Sequence, residues 1–462
     1  MVLSAFRART TRAVSKNDDC DSGICAKNTC INSYVWSQHY GGTGSLFAAG
    51  VAVDVFGNTA LVGSLRGTAD LGGGQLTSAG ADDFLVAHFD PNGQHQWSKR
   101  FGGASNQTPV AVAVDDSGRM VVAGSLEGAI DFGQGTMTSA GGRDILVASF
   151  SLNGDAQWSR RYGDAQDQFA TSIAIDKSGN SFVVGAFYGT AGFGASSWTA
   201  PGRSAFLVKL SPVGNPLWSK PFGDVKGATA FGVATDASGN VVITGTFEGT
   251  IDLGSAMWTN KSATTGSGDI FVAKFDPSGT PLWSAAFGDA NADTGTSIAA
   301  DAAGNVFVAG TFGGTVEFGN GPLTSIGGLD IFVLKMDTSG KVLWSRRFGG
   351  VQDEGSPQIA TDGLGGVTLT ASFLGTIEFG GGPSVMSAGD TDVMVLKLDA
   401  SGKHVWSKAF GDVQKQVAKG IAVKGMSHVI VTGDYAGSIN FGGGQLAASG
   451  MRDIFLAELL TP

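Results

Sequence analysis

The chain has 462 residues, 73 of them glycine, and is 42% hydrophobic and 15% charged. This composition indicates a globular, turn-rich protein, because a disordered chain is poorer in apolar residues and a collagen-like chain carries glycine at every third position. The net charge of −10, without any Lys/Arg run, argues against nucleic acid as a partner. No apolar stretch reaches the ~18 residues that a membrane-spanning helix needs.

Residues 1–33 form an irregular N-terminal segment that holds all three cysteines, Cys20, Cys25 and Cys30. An odd trio can hold at most one internal disulfide, and the spacing does not select the pairing. Metal binding is the weaker interpretation, because the nearest histidine, His39, recurs in no other repeat. The start, MVLSAFRARTTRAV, lacks the roughly 7–15-residue apolar run of an export signal, so no export signal is visible.

From residue 34 onward the chain repeats itself with a nearly constant period. The dipeptide Trp-Ser marks the register, at spacings of 61, 61, 60, 65, 61 and 62 residues. It begins at Trp36, Trp97, Trp158, Trp218, Trp283, Trp344 and Trp406. A fixed period indicates one supersecondary unit stacked many times, so residues 34–462 are predicted to form one domain of seven units.

Each repeat contains four short runs rich in Val, Ile, Phe and Trp, separated by Gly, Asp, Asn and Ser. In the second repeat these runs are PVAVAVD, RMVVAGSL, DILVASF and AQWSRRYG. The turn sequences DDSG and SLNG join the first two and the last two runs as hairpins. Four antiparallel strands repeated radially are the signature of a β-propeller. The predicted fold class is therefore all-β, a single seven-bladed β-propeller.

The two ends of the repeated region complement each other. The seventh repeat lacks a Trp-Ser run after its third strand, whereas SYVWSQHYG, at residues 33–41, is a Trp-Ser run with no three strands before it. We expect this N-terminal strand to complete the last blade, which leaves no unpaired sheet edge there. Trp283 and its equivalents are predicted to pack between neighbouring blades as large apolar anchors.

The repeat AVDDSGRMVVAGSLEGAIDFGQGTMTSAGGRDILVASF and its six relatives resemble the bacterial seven-bladed propeller repeat proteins of the SBBP type. The resemblance is carried by DxSGN…VAG, FGG and D-[IF]-FVAKFD, and it covers residues 34–462. The segment CDSGICAKNTC is similar to short Cys-rich stretches that precede such propellers in exported lipoproteins. The resemblance implies a secreted or cell-surface protein and no shared catalytic residues. Since no export signal is visible, either the true start lies further upstream, which we favour, or the protein stays inside the cell.

Two sets of aspartates recur around the predicted ring. One set begins the third strand, and blade three interrupts it with Ala205: Asp83, Asp144, Asp269, Asp330, Asp392 and Asp453. The other set ends the first strand, with Lys424 in blade seven: Asp54, Asp115, Asp176, Asp236, Asp301 and Asp362. Because Asp side chains readily accept backbone N–H groups in turns, we interpret both sets as structural. Outer-strand pairs such as Lys99–Arg100 are interpreted as charges that discourage edge-to-edge aggregation.

No catalytic constellation is visible in the sequence. The histidines fall in different strands and turns, and no nucleophile–base pair or metal triad emerges: His39, His88, His95, His404 and His428. We therefore expect a non-enzymatic protein with no catalytic residue, no metal site and no cofactor. The alternative is a carbohydrate-active lyase or hydrolase with carboxylates over the central channel. A purely structural assembly module is a third hypothesis.

The loops that join strands two to three and four to one are long and variable, and they share one face, the expected binding face. Its most irregular sector is blades three and four, where two tryptophans replace Leu or Met and the insertion MWTNKSATTGSG lengthens blade four. The predicted ligand-binding residues are Tyr188, Trp198, Trp258, Asp164, Asp167 and Asp224. Adjacent aromatics with polar neighbours suit a sugar ring or a peptide. Alternatively, both tryptophans anchor their loops as the leucines do.

Acidic residues are scattered through the loops of the same face: Asp164, Asp167, Asp224, Asp289, Asp293, Asp353, Glu354 and Asp412. Such a set could gather a cation at the mouth of the ring, but its irregular registers favour a solvated rim. We expect a monomeric binding or adhesion scaffold, extracellular or in the cell envelope, whose ligand is a glycan or a protein.

Overall fold

The computed structural model describes residues 33–194, 196–262, 264–355 and 357–461 in full. It also describes the backbone of three short antiparallel strands, Arg12–Ala13, Ile24–Ala26 and Thr29–Ile31, in which Cys25 lies opposite Cys30. The possible disulfide among Cys20, Cys25 and Cys30 involves side chains that lie outside the described residues. Every regular element of the described ranges is a strand, and they contain no helix long and apolar enough to cross a membrane.

Seven four-stranded antiparallel sheets form the blades of a β-propeller, as predicted. Blade 1 consists of Ser45–Val53, Thr59–Arg66, Asp83–Phe89 and His95–Phe101. Blade 2 consists of Gln107–Val114, Met120–Leu126, Asp144–Phe150 and Ala156–Tyr162. Blade 3 consists of Gln168–Ile175, Ser181–Phe187, Ser204–Leu210 and Pro216–Phe222. Blade 4 consists of Ala228–Thr235, Val241–Phe247, Asp269–Phe275 and Pro281–Phe287.

The remaining three blades repeat this order of strands. Blade 5 consists of Asp293–Ala300, Val306–Phe312, Asp330–Met336 and Val342–Phe348. Blade 6 consists of Gln358–Thr361, Val367–Phe373, Asp392–Leu398 and His404–Phe410. Blade 7 consists of Gln416–Lys424, His428–Tyr435, Asp453–Leu460 and, from the N-terminal side, Tyr34–Tyr40. The first strand of each blade contacts the first strands of both neighbours, so these seven strands surround a central channel.

A two-stranded hairpin lies in the long loop between the second and third strands of every blade. These hairpins are Thr68–Asp70 with Gln75–Thr77, Ala129–Asp131 with Thr136–Thr138, Thr190–Phe193 with Ser196–Thr199, Thr250–Asp252 with Met257–Thr259, Thr315–Glu317 with Pro322–Thr324, Thr376–Ile377 with Val385–Met386, and Ser438–Asn440 with Gln445–Ala447. They lie on the same side of the ring as the loops that join one blade to the next, as their shared hydrogen bonds show.

The ring closes through blade 7. Tyr34–Tyr40 pairs antiparallel with Asp453–Leu460, and Trp36 lies opposite Glu458. The predicted closure by the N-terminal strand is therefore confirmed. Each blade is covered on both faces by its neighbours, so strands such as Val241–Phe247 and Asp269–Phe275 are buried at nearly every position. This double burial explains their continuous apolar sequence.

The recurring Trp-Ser phrase joins each blade to the next. The indole of Trp158 lies against Gly214 in the next blade's turn, and its Nε1 donates to the carbonyl of Pro212 at 2.9 Å. The same hydrogen bond is made by Trp97, Trp218, Trp283 and Trp344. Blade 7 has no turn between its third and fourth strands. The buried Nε1 of Trp406 accordingly has no hydrogen-bond partner among the described residues.

The basic pair that follows Trp-Ser also joins structural elements. Arg160 and Arg346 each donate to the carbonyl of the turn glycine in the next blade. The second basic residue reaches back to the aspartate that begins the third strand, as Arg347 does to Asp330 at 2.6 Å. These charges therefore hold blades and loops, in addition to any role in protecting an outer edge.

The aspartates that begin the third strand accept a backbone N–H from the residue four positions earlier, as in Ala140 to Asp144 and Ser449 to Asp453. This is the structural role expected for them. Blade 3 departs from the expectation in one respect, because strand pairing places Ser204, and not Ala205, in this register. Both positions are fully buried, so their apolar pattern does not distinguish them.

The aspartates that end the first strand accept N–H groups two and four residues later, as Asp236 does from Ser238 and Asn240. In blades 3 to 6 the same carboxylate pairs with a buried lysine of the third strand, for example Asp236 with Lys274 at 2.8 Å. Blade 7 reverses the charges: Lys424 takes the acid's place and pairs at 2.7 Å with Glu458, which stands in the lysine register.

Candidate functional site

The central channel is shaped by a β-bulge in the first strand of the blades. The bulged residue is unpaired in the ladder, and its side chain lines the channel. In six blades these residues are Ala49, Val110, Thr171, Phe231, Thr296 and Lys419. Thr171 and Thr296 turn their hydroxyls to a backbone carbonyl of the next blade. Lys419 is therefore the one charged member of this set.

A cavity of about 900 Å³ opens at one end of the channel, and we call it the mouth cavity. It is walled by blades 6, 7, 1 and 2, and its rim is made by the ends of the long loops at Asp82, Glu354, Thr391 and Arg452. It adjoins the channel cavity of about 690 Å³, with which it shares residues such as Ala49 and Lys419. The mouth cavity thus lies on the long-loop face, the face that the sequence favours for binding.

Three cations of blade 7 line the mouth cavity: Lys415, Lys419 and Arg452. Both lysines are exposed, and the described residues give neither of them an ion pair or a side-chain hydrogen bond. Lys415 stands in a register that holds Asn106, Asp167 and Asp353 in other blades. Those side chains accept a backbone N–H from the preceding blade. Blade 7 lacks this hydrogen bond to the preceding blade. The equivalent N–H, that of Thr391, donates to the side chain of Asp390 instead.

A buried carboxylate holds the third cation in place. Asp434 is fully buried and forms an ion pair with the guanidinium of Arg452, which also lies over the ring of Phe47 at 5.8 Å. In the other blades this strand position holds Ser, Thr or Ala, as at Ser125 and Thr246. Burial raises the pKa of Asp434, while Arg452, Lys419 and Lys415 act to lower it. Its Oδ1 has no hydrogen-bond partner among the described residues.

The predicted aromatic residues lie elsewhere on the same face. Trp198 packs against the core between blades 2 and 3 and donates its Nε1–H to Ser219 at 2.8 Å. Trp258 packs against the core between blades 3 and 4 and donates to Ser284 at 3.0 Å. These contacts are the ones expected if both tryptophans anchor their loops, as the leucines do in other blades. Tyr188 is 38% exposed, and no ring contact joins these three side chains in the described part of the chain. Their role in ligand binding stays a prediction.

The predicted acidic residues hold loops together. Asp164 accepts the N–H groups of Gln166 and Thr190, and Asp224 accepts those of Lys226 and Thr250. Burial alone would raise the pKa of both carboxyls, but these hydrogen bonds hold it below the usual range. Asp289 and Asp412 make the same contacts, so the registers are more regular than the sequence suggested. Asp167 binds the backbone and guanidinium of Arg143.

Two pairs of buried carboxyl groups lie where the chain enters the first strands of blades 5 and 6. Gln107, Gln168 and Gln416 fill one register in blades 2, 3 and 7, where each accepts a backbone N–H from four residues earlier. Blades 5 and 6 use Asp293 and Glu354 there, beside Asp269 and Asp330 respectively. Burial, and then the neighbouring carboxylates, raise the pKa of both Asp293 and Glu354 to about 8.

No group of three or more His, Cys, Asp or Glu side chains is arranged to hold a metal ion within the described ranges. A cleft of about 270 Å³ lies at the blade 4 insertion, lined by residues such as Glu248 and Asn260. Neither predicted tryptophan lines that cleft. The mouth cavity is therefore the larger candidate site on this face.

Comparison with known proteins agrees with this architecture. The model of the β-propeller repeat family matches residues 157–186 and 282–311, each of which runs from an outermost strand into the second strand of the next blade. The structure adds that this unit recurs as seven four-stranded blades. The chain is a β-propeller repeat protein.

Among curated relatives, this β-propeller repeat protein is 25% identical over 341 residues to the regulatory protein FlaEY of Caulobacter vibrioides. That match covers 67% of this chain and 34% of FlaEY. It is 24% identical over 201 residues to the uncharacterized WD repeat-containing protein L264 of Acanthamoeba polyphaga mimivirus, covering 37% of this chain and 14% of that protein. The chain thus spans about a third or less of these relatives. Among solved structures, the chain is similar to Kuenenia stuttgartiensis hydrazine synthase, with 10% identity, a TM-score of 0.47 and coverage of 83% of this chain and 92% of that one.

Sequence reasoning named Asp353 and Glu354 of the mouth lining but missed the charged residues that blade 7 contributes. Lys415 and Asp434 were both visible as departures from the register of the other repeats. Lys419 was not, because its importance depends on the bulge that turns it into the channel. Searching every register for blade-specific charges would have found the first two.

Proposed function

We propose that this β-propeller repeat protein is a non-enzymatic binding or adhesion scaffold, extracellular or in the cell envelope, that acts as a monomer. Its ligand, a glycan or a protein segment, binds at the mouth cavity on the long-loop face. The location outside the cytoplasm rests on the resemblance of its cysteine-rich segment to those of exported propeller proteins. The binding site rests on the structure of the mouth.

The observation that carries the proposal is the mouth cavity itself. Its volume of about 900 Å³ falls in the range of small-molecule and cofactor sites, roughly 300–1,000 Å³. The other recurring charges of the ring are engaged in holding loops and blades, whereas Lys415 and Lys419 are not. Blade 7 departs from the repeat at the positions that face this cavity, and functional residues are expected where a repeat is broken on its loop face.

The test is a glycan-array and peptide-binding screen of the purified protein beside two variants. Ala49→Trp fills the channel entrance, at a register where blade 4 already carries Phe231. Trp198→Ala/Trp258→Ala removes the predicted aromatic residues. Binding that is lost in a folded Ala49→Trp variant and kept in the double variant supports the mouth. Loss in the double variant alone would place the ligand on blades 3 and 4.

One observation favours an enzyme as the second candidate. Glu354 lines the mouth cavity beside Asp330, and its pKa of about 8 would let it donate a proton near neutral pH. However, Glu354 is only 4% exposed and accepts the Gly350 N–H, as glutamine does in other blades. Release of reducing sugar or unsaturated product from polysaccharides, abolished in Glu354→Gln, would favour the enzyme.

A further inference from the structure

We infer that the mouth cavity binds a small organic oxyanion, a ligand whose carboxylate, sulfate or phosphate group is held by Lys415, Lys419 and Arg452. This inference rests on the proposed function and names the chemical class of its ligand. The protein as a whole is acidic, with a net charge of −10. Three cations that line one cavity therefore differ in sign from the average charge of the molecule.

The two lysines are available for a ligand. Several buried or half-buried cations of the ring have a partner of their own: Lys274 pairs with Asp236, and Arg347 with Asp330. Lys415 and Lys419 have none among the described residues, although each lies close enough to act on the charge of Asp434. Both ammonium groups are therefore free to donate hydrogen bonds to a group in the cavity.

Arg452 is positioned in advance. Its Nη1 is bound to the buried Asp434, and its guanidinium lies over Phe47. That hydrogen bond is the one that the described residues give this guanidinium, so its remaining N–H groups are open to a planar oxyanion. Asp434 stands at a fully buried position where the other blades have a small residue. Burying a carboxylate is unfavourable unless it is paired, and Arg452 is the partner of this one.

The acidic groups around the cavity are held by contacts of their own. Asp82 is held by two hydrogen bonds of 2.9 Å from Arg66, and Asp353 accepts the N–H of Leu329 at 2.8 Å. Asp390, which lies near Lys415 and Arg452, binds the N–H and hydroxyl of Thr391. Glu354 has a pKa of about 8 and is mostly protonated at neutral pH, because it is buried beside Asp330. Lys415 and Lys419 are therefore the charged side chains of the described lining that have no hydrogen-bonded partner of their own.

The test is isothermal titration calorimetry of the full chain with trigalacturonate as a carboxylate probe. Inorganic sulfate and inorganic phosphate serve as the other oxyanion probes, and maltotriose serves as a neutral sugar. The variant is Lys415→Ala/Lys419→Ala, which removes two exposed side chains without a partner and should fold normally. Lys341→Ala, an exposed lysine in a turn between third and fourth strands, is the matched control.

We expect at least one oxyanion probe to bind wild type and Lys341→Ala equally, and to bind the double variant at least tenfold more weakly. Competition among the three probes then identifies the favoured oxyanion. Equal affinity in wild type and the double variant, or no binding of any oxyanion probe, would overturn the inference. A neutral ligand that is lost in Ala49→Trp but kept in Lys415→Ala/Lys419→Ala would leave the mouth as the binding site and reject only the anion.

Discussion

At the scale of the residue, the blades place different charges on one shared frame. Asp236 and Lys274 form a buried pair in blade 4, and Lys424 and Glu458 form the same pair with the charges exchanged in blade 7. Glu458 also accepts the indole N–H of Trp36 at 2.7 Å. Breaking a buried pair leaves an uncompensated charge, so the partners are expected to depend on each other.

Glu458→Lys should lower the free energy of unfolding by about 3 kcal/mol or more, because it sets a second cation against Lys424 in a buried site. Lys424→Asp/Glu458→Lys should recover most of that loss, since it restores the order of charges found in blade 4. Urea denaturation of wild type, Glu458→Lys, Lys424→Asp and the double variant measures the coupling. A double variant as unstable as the sum of its single changes would show that the pair is not interchangeable.

Glu354 makes stability depend on pH. Its folded-state pKa is raised from the ordinary 4.5 to about 8. The stability it contributes is fully present below its unfolded pKa and is lost as the pH rises through about 8. Glu354→Gln inserts the glutamine found at Gln168 and Gln416, so the variant should melt above wild type at pH 9 and nearly with it at pH 5.

Differential scanning calorimetry at both pH values checks this prediction. The converse change, Gln168→Glu in blade 3, should lower the melting temperature more at pH 9 than at pH 5. A melting difference between wild type and Glu354→Gln that is the same at both pH values would contradict the raised pKa.

At the scale of the element, the turn between the third and fourth strands is the part that a blade offers to its neighbour. Gly214 has φ of +77°, and a Cβ there would approach the ring of Trp158 to 2.6 Å. Gly133 has φ of +99°, but a Cβ there would meet nothing within 4 Å. Substitution at Gly133 would therefore add backbone strain alone, whereas substitution at Gly214 would add strain and also disturb the contact between blades.

Gly133→Ala should cost about 1–2 kcal/mol of stability, the cost of an L-residue in the left-handed region. Gly214→Ala should cost a further ~1–3 kcal/mol, because the added methyl displaces a packed indole. Chemical denaturation of both variants gives the difference. Equal losses at the two sites would mean that the Trp–Gly contact does not hold neighbouring blades together.

The sequence was sufficient for the fold because the period and the turn residues agree. Trp-Ser, the turn glycines and the continuous apolar strands each require the same four-stranded unit, stacked between two others. It was insufficient at single registers, since Ser204 and Ala205 are both fully buried and pattern alone does not place them. It was also insufficient for the mouth, because residues far apart in sequence, such as Asp82 and Lys419, meet there only when the ring closes.

At the scale of the whole molecule, one strand closes the ring. Tyr34–Tyr40 supplies the outermost strand of blade 7, and Trp36 is fixed there by Glu458. Deletion of Ser33–Gly41 should therefore lower the melting temperature sharply, because it exposes the edge of Asp453–Leu460 and the core beside it. Calorimetry of the deletion variant measures the effect, and an unchanged melting temperature would refute closure by this strand.

The measurement that tests the account most directly asks where the ligand from the binding screen sits. Single-cysteine variants Ala49→Cys in the channel and Ser197→Cys on the blade 3 hairpin are made with Cys20, Cys25 and Cys30 changed to serine. Each is labelled with a bulky maleimide, and ligand affinity is measured before and after labelling. We predict that the label at position 49 abolishes binding and that the label at position 197 leaves it intact. Binding that survives the channel label and fails with the hairpin label would contradict a site at the mouth.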